Sequence, residues 1–322
     1  MAALLECRGL DVRFSTDTGT VAAVSGLDFD LAPGECLGIV GESGSGKSQT
    51  FLAMFGLLAA NGTATGSVKY RGTEILNAPR AVLDELRGNR LAMVFQDALS
   101  GLTPTMRVGE QLAEVLVRHQ GLSRADARAR AIEALEIVRL PDAARRYEAY
   151  PFELSGGMRQ RVMIAMASLC RPEVLVADEC TTALDVTVQA QVLRLLDGMK
   201  RKAGTAIVLI THDLGVVAGL CDRVLIMYGG RAVEIGPVRR IFREPAHPYT
   251  RALLRSMPSL GADPAVDLPV IPGQPPDLEN LPPGCAFAPR CTERFAPCQA
   301  ERPALQVAAA DHRSACHLGR VQ

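Results

Sequence analysis

Three observations in this sequence predict an α/β fold built around a parallel sheet and a phosphate-binding loop. First, Gly41-Glu42-Ser43-Gly44-Ser45-Gly46-Lys47-Ser48 fits G-x-x-x-x-G-K-[ST] without a gap. Second, Val174-Leu175-Val176-Ala177 and Ala206-Ile207-Val208-Leu209-Ile210 are short continuous apolar runs. Such runs suit parallel strands covered on both faces. Third, a helical pattern from Val186 to Met199 lies between those runs as a crossover.

Taken in order, residues Leu4 to about Gly34 alternate apolar and polar positions, with turn signals at Asp17-Thr18-Gly19 and Ala32-Pro33-Gly34. They read as antiparallel strands. Cys36–Val40 reads as a buried strand and Gln49–Leu58 as a helix, so the glycine-rich run joins strand to helix. That order aims backbone N–H groups and a helix N-terminus at an anion, which predicts a bound nucleotide. Further strands follow, ending in Leu91-Ala92-Met93-Val94-Phe95.

Residues from Asp97 to about Arg171 are mostly helical in pattern, with helices predicted over Val108–His119, Arg124–Val138 and Gly156–Leu169. Strand and helix then alternate again from Glu173 to about Gly236. Beyond Gly236 proline becomes dense, from Pro237 and Pro245 to Pro282 and Pro283. An extended, turn-rich appendage is expected there rather than a regular helical or sheet domain. The division predicted is therefore a nucleotide-binding domain over 1–236, with a helical subdomain near 97–171, and a Pro/Cys-rich extension over 237–322.

Composition narrows the class. With 322 residues, the chain can bury a large core. Its 35 basic and 35 acidic side chains cancel, which argues against nucleic acid as a partner. Tryptophan is absent and aromatics are few, which weakens an aromatic nucleic-acid platform. No apolar run approaches the roughly 18–20 residues that span a bilayer. An acid at Glu6 comes too early for a secretory signal, so a cytosolic chain with nine unpaired cysteines is expected.

Two further signals give the loop its chemistry. The strand Val174–Ala177 runs into Asp178-Glu179, delivering Asp178 to the polar end where it can hold Mg²⁺ together with Ser48. Glu179 can polarise a water for attack on a γ-phosphate. The bland alternative is two solvated acids at a strand end, and the preceding phosphate loop weighs against it. Leu154-Ser155-Gly156-Gly157-Met158 places Ser-Gly-Gly before a helix, a second anion-binding N-terminus.

Together these segments resemble the ATP-binding subunit of an ATP-binding cassette (ABC) transporter, a P-loop nucleoside triphosphatase with an antiparallel β subdomain and a helical subdomain. The resemblance implies nucleotide contacts at Phe14, Gly41, Ser43, Gly44, Ser45, Gly46, Lys47, Ser48 and Gln49. Across a head-to-tail pair of chains it adds Ser155, Gly156, Gly157 and Asp185. Phe14 is the aromatic that stacks on adenine. Gln96 resembles the Q-loop glutamine that senses Mg²⁺, Thr182-Ala183-Leu184-Asp185 the D-loop, and His212 the switch histidine at the γ-phosphate. Catalysis then falls to Glu179, His212 and Gln96, and magnesium to Ser48, Gln96 and Asp178. Two departures stand out: Cys180 and Ala98 occupy positions where proline is common.

The tail separates subfamilies. Ala246-His247-Pro248-Tyr249-Thr250-Arg251-Ala252-Leu253-Leu254, Ile271-Pro272-Gly273-Gln274-Pro275-Pro276 and the later cysteines resemble the C-terminal extension of oligopeptide, dipeptide and nickel importers. The implied function is ATP hydrolysis that drives di- or oligopeptide import through two separate membrane permease subunits. A second ATPase chain and, indirectly, an extracytoplasmic solute-binding protein complete the implied assembly at the cytoplasmic face of the membrane. Nickel or another small solute is the alternative cargo. A non-transport cassette ATPase and a nucleotide-gated interaction module are the competing classes.

Cys285, Cys291, Cys298 and Cys316 stand as C-x5-C-x6-C-x17-C, which matches neither a zinc-finger pattern nor a ferredoxin run. Some members of the subfamily carry a [4Fe-4S] cluster on four such cysteines. Zinc, with His312 or His317 substituting, and unligated thiols are the other readings. Cys7, Cys36, Cys170, Cys180 and Cys221 sit in apolar surroundings and read as small core residues.

Overall fold

A computed structural model describes residues 3–97, 101–181, 184–257 and 269–320. The chain divides into two compact units that interleave in sequence. One gathers Leu31–Cys36 and Ala78–Thr211. The other gathers Ala3–Asp30, Leu37–Asn77 and the chain from His212 onward.

In the second of these, an antiparallel sheet has the order Gly19–Leu31, Leu5–Thr16, Gly62–Tyr70, Thr73–Glu74. Leu5 lies opposite Tyr70 and Phe14 opposite Gly62, with a register shift between Arg8 and Asp11. Alternating burial along Leu5–Thr16 matches the alternating sequence, because successive side chains of a strand face opposite sides. The same unit holds Leu37–Val40 of the fully buried strand Cys36–Val40, parallel to Arg223–Tyr228. Arg231–Pro237 then pairs antiparallel with Arg223–Tyr228.

The tail departs from the turn-rich expectation. Val238–Arg243 and Pro248–Arg255 are helices, the second starting on the proline that a first helical turn tolerates. Strands Gln306–Ala309 and His312–Ser314 form a hairpin, and the latter extends the sheet at Arg231–Pro237. Residues 306–314 contain no proline, so every backbone N–H is free to join a ladder. Between these elements the chain runs through turns and short 3₁₀ segments, as the prolines dictate. A core formed by Val40, Val217, Ile226, Tyr228, Tyr249 and Phe287 binds tail to sheet.

In the other unit, Leu91–Val94, Val174–Asp178 and Ala206–Ile210 form a parallel sheet, with Val94 opposite Ala177 and Asp178 opposite Ile210. The two apolar runs are buried along their whole length, as a sheet covered on both faces requires. Helices Val108–Gln120, Arg124–Ile137 and Gly156–Ser168 lie close to their predicted positions. A side chain at Gly109 would meet the Tyr147 ring at 2.0 Å, so the first helix packs onto that ring only without a Cβ. Among the described residues, no helix is long and apolar enough to cross a membrane.

Candidate nucleotide site

The phosphate loop leaves the buried strand Cys36–Val40 and enters helix Lys47–Met54 through Gly46, whose φ of 93° lies in the left-handed region. Three glycines make the turn possible in different ways. A Cβ at Gly41 would stand 2.3 Å from the Met227 carbonyl oxygen, and one at Gly46 would stand 2.2 Å from that of Ala23. Gly44 (φ +76°) has open space but a backbone that other residues rarely adopt.

Inside this turn the Lys47 ammonium donates to the carbonyls of Gly41 (2.8 Å) and Glu42 (3.0 Å) and is buried. The Ser45 hydroxyl is buried with no hydrogen-bond partner. A buried cation and an orphaned hydroxyl in a turn too tight for side chains fit a polyphosphate. Ser48 and Gln49, in the first helical turn, are half-buried. Ser43 is exposed. Phe14 is half-buried at the end of its strand, and a Cβ at Gly62 would meet its ring at 2.7 Å. Exposed His212 also belongs to this unit.

The acid pair lies in the other unit. Asp178 is buried at the end of its strand, while Glu179 adopts a left-handed φ of 44° and donates its N–H to the Ile210 carbonyl at 2.9 Å. That conformation is uncommon for a residue with a Cβ and marks a constrained position. Gln96 Nε2 donates to Glu179 Oε2 at 3.1 Å, joining two predicted site residues 83 positions apart in sequence. Cys180 is fully enclosed, and burial pushes its thiol up to about 12. Ala98, Thr182 and Ala183 lie outside the described residues.

Ser155 caps helix Gly156–Ser168 by accepting from the Met158 N–H at 3.3 Å. Asp185 caps helix Val186–Gly198 in the same way, accepting from the Val188 N–H at 2.9 Å. These two helix starts are neighbours, since a Cβ at Gly157 would lie 3.5 Å from both Leu184 and Val188. Phe152 and Val186 beside them are 70% and 82% exposed, apolar surface at a turn that already offers N–H groups.

Cys285, Cys291, Cys298 and Cys316 line one cavity of about 10 Å³, shared with His317. The Cys285 N–H donates to the Cys298 carbonyl at 2.9 Å. Burial raises the thiols of Cys285 and Cys291 and lifts Cys316 to about 11, and the neighbouring cysteines add to each shift. Among the described residues, no group of three or more His, Cys, Asp and Glu side chains is arranged for a single metal ion. The Glu293 carboxylate lines the same cavity beside the four thiols, and the cavity as it stands has room for only about one water.

His312 is not available to that cavity. Its Nε2 pairs with Glu234 at 2.6 Å, and Glu234 also accepts from the N–H groups of Ala246 and His247. Of the five other cysteines, Cys7, Cys36 and Cys180 are buried as expected, while Cys170 and Cys221 are only half-buried.

The sequence offered no sign of Tyr249, His247 and Arg290 as structural centres of the tail. His247 Nδ1 accepts from the Tyr249 N–H at 3.0 Å, capping helix Pro248–Arg255. Burial, aided by the Arg251 charge, drives its pKa from 6.5 down to about 3. The unfolded chain therefore binds a proton below pH 6.5 that the native chain refuses, so stability falls as pH drops through that window. The loss is about 1.4 kcal/mol per pH unit from this group alone. His247→Asn, which keeps a capping acceptor but does not titrate, is expected to flatten the decline measured by denaturant unfolding between pH 6.5 and 4.5. Parallel declines for both chains would refute this assignment.

The profile of the ABC transporter family matches residues 24–182, and that of the oligopeptide/dipeptide transporter C-terminal region matches residues 233–298. The chain is 53% identical to the oligopeptide transport ATP-binding protein OppD of Salmonella typhimurium over 313 residues, 97% of this chain and 93% of that protein. It is 49% identical to a putative peptide import ATP-binding protein of Brucella abortus over 308 residues, 95% of this chain and 92% of that one. Among solved structures, a dimeric ATP-binding cassette in a post-hydrolysis state with ADP and Pi aligns with a TM-score of 0.67 at 26% identity. That alignment covers 73% of this chain and 99% of the other. With a phosphate loop, a strand-end acid pair, a capped Ser-Gly-Gly turn and these relatives, the chain belongs to the ATP-binding subunits of ABC transporters, in the oligopeptide/dipeptide subfamily.

Proposed function

We propose that this chain powers the import of di- or oligopeptides by hydrolysing ATP at the inner face of a membrane, through two permease subunits. As a member of its family it is a magnesium-dependent ATPase. The observation that carries the peptide reading is the match along almost the whole chain, tail included, to proteins named for oligopeptide transport or peptide import. Those names favour peptides over nickel as cargo.

In the proposed mechanism the loop Gly41–Gln49 wraps the phosphates, with Lys47 leaving its carbonyl partners for the β- and γ-phosphates and Phe14 stacking on adenine. Glu179 orients water against the γ-phosphate, held by Gln96, and His212 contacts the same phosphate. Ser48, Asp178 and Gln96 would hold magnesium, whose charge offsets that of the phosphates when bound. Ser155, Gly156, Gly157 and Asp185 serve the site of a second ATPase chain, identical or homologous. The exposed Phe152 and Val186 beside them support an interface there. Residues 1–236 form the ATPase domain, with its helical subdomain near 97–171, and residues 237–322 the transporter-specific extension.

Cys285, Cys291, Cys298 and Cys316 would hold a [4Fe-4S] cluster, which would staple a segment with little apolar core. Zinc is the alternative, and both candidate histidines are engaged elsewhere: His312 pairs with Glu234, and His317 Nε2 lies 2.9 Å from the Glu301 carbonyl.

The test is uptake by proteoliposomes holding the two permeases and the ATPase pair, with the solute-binding protein outside and ATP inside. Labelled oligopeptide should accumulate only with hydrolysable ATP, and uptake of nickel but not peptide would reverse the cargo. Absorbance at about 400 nm in anaerobically purified protein tests the cluster, and a colourless, iron-free sample would remove it.

A further inference from the structure

The tail closes on the second residue of the phosphate loop. Glu42 donates its N–H to the Tyr249 hydroxyl at 3.0 Å, and its carboxylate accepts from Arg290 Nη1 at 2.7 Å. Arg290 is held on every side. Its Nε donates to the Pro272 carbonyl at 2.8 Å, Nη2 to the Ile271 carbonyl at 3.2 Å, and Nη1 also to the Tyr228 hydroxyl at 3.2 Å. Its side chain is only 7% exposed, against 21% for Glu42. A fork of donors fixed at this many points is a rigid strut, unlike a surface ion pair between mobile side chains.

Both ends of the strut are attached to something that matters. At one end, the Glu42 carbonyl accepts from Lys47, so the turn that Arg290 grips is the turn that holds the phosphate-loop lysine. At the other, Arg290 immediately precedes Cys291. Phe287, two residues after Cys285, contacts the rings of Tyr228 and Tyr249 at 5.3 Å between centroids. Cys285 and Cys291 pack against this aromatic group. A second bridge runs beside the first: Pro275–Leu278 and Glu42–Ser45 line one cavity of about 240 Å³. The next residue, Glu279, accepts from the hydroxyls of Thr16 and Thr18, just beyond Phe14.

We propose that Arg290 is a positioning residue for ATP binding, coupling the closed state of the four-cysteine tail to the shape of the phosphate loop through Glu42. The tail of this chain is then part of the nucleotide site, and a chain whose tail opens binds ATP less tightly. The inference rests on the reading that the four cysteines are held together, whichever metal holds them. It adds a consequence for ATP.

Equilibrium binding of a fluorescent ATP analogue to the full chain tests the coupling. Arg290→Met is expected to weaken binding roughly tenfold, the scale of one charge-assisted hydrogen bond. Arg290→Lys, which keeps the charge but not the fork, should recover part of that loss. In a double-mutant cycle with Glu42→Gln, the two losses should overlap rather than multiply. Cys291→Ser should weaken binding in the wild-type chain and add little to the Arg290→Met/Glu42→Gln chain.

Wild-type affinity in Arg290→Met, multiplying losses in the cycle, or unchanged affinity in Cys291→Ser would each overturn the proposal. Multiplying losses are also what a merely destabilised fold would give. Iron and zinc content, measured on the same samples, separates this outcome from the cluster assignment. Metal-free wild-type protein would remove the cluster and overturn the coupling to the cysteines, while overlapping losses in the Arg290–Glu42 cycle would still assign Arg290 its positioning role.

Discussion

Glu179→Gln is expected to lower ATP turnover by about 10²–10⁴-fold while ATP binding survives, the range associated with loss of a positioned general base. The structure gives two reasons to expect a specific rather than a diffuse effect. Glu179 is pinned by its N–H bond to Ile210 and by Gln96 at its carboxylate, so an amide of the same shape can take its place with little rearrangement. Its left-handed backbone is a property of the chain path, and glutamine inherits it unchanged. The measurement is phosphate release by the assembled transporter alongside an ATP-binding isotherm. Turnover within a factor of three of wild type would falsify the role of Glu179, and joint loss of binding and turnover would point to a structural role instead.

Gly46→Ala is expected to weaken ATP binding by roughly a hundredfold or more. The new Cβ meets the Ala23 carbonyl oxygen at 2.2 Å, and the residue must also hold a φ of +93°. Overpacking against backbone and strained φ each cost about 1–3 kcal/mol, and tenfold in affinity corresponds to about 1.4 kcal/mol. Gly44→Ala is the internal control, because it shares the positive φ but meets nothing within 4 Å. It should lose much less. Equal affinities for the two variants in the same titration would show that the close approach to Ala23 does not set the loop.

These variants divide along the line between local and long-range information. The phosphate loop, the acid pair and the Ser-Gly-Gly turn are contiguous words, and their strands and helices carry their own periodicity. The three central strands and the long helices accordingly fall where continuous apolar runs and the 3.6-residue repeat place them. The positive φ of Glu179 is different. Nothing in Asp178-Glu179-Cys180 announces it, because it follows from where the strand ends and what Ile210 offers.

The tail shows the same limit more sharply. Its prolines forecast irregular chain, and through residues 269–283 that is what the structure has. They could not forecast the hairpin at 306–314, whose partner strand, Arg231–Pro237, begins 75 residues earlier. His312 is chemically a metal ligand in any list of residues, and only the buried Glu234 beside it makes it part of a structural pair.

On its own, the order of residues established a nucleotide loop, its acids, a second anion-binding turn, the transporter family and a cysteine-bearing tail. Each is either a short continuous motif or a periodic pattern, and such features form from neighbours in the chain. The three-dimensional fold decided which distant groups meet: Gln96 with Glu179, His312 with Glu234, and Arg290 with Glu42 across 248 positions. Contacts of that span are selected by the packing of whole elements and by the need to satisfy buried charges, so no local pattern encodes them.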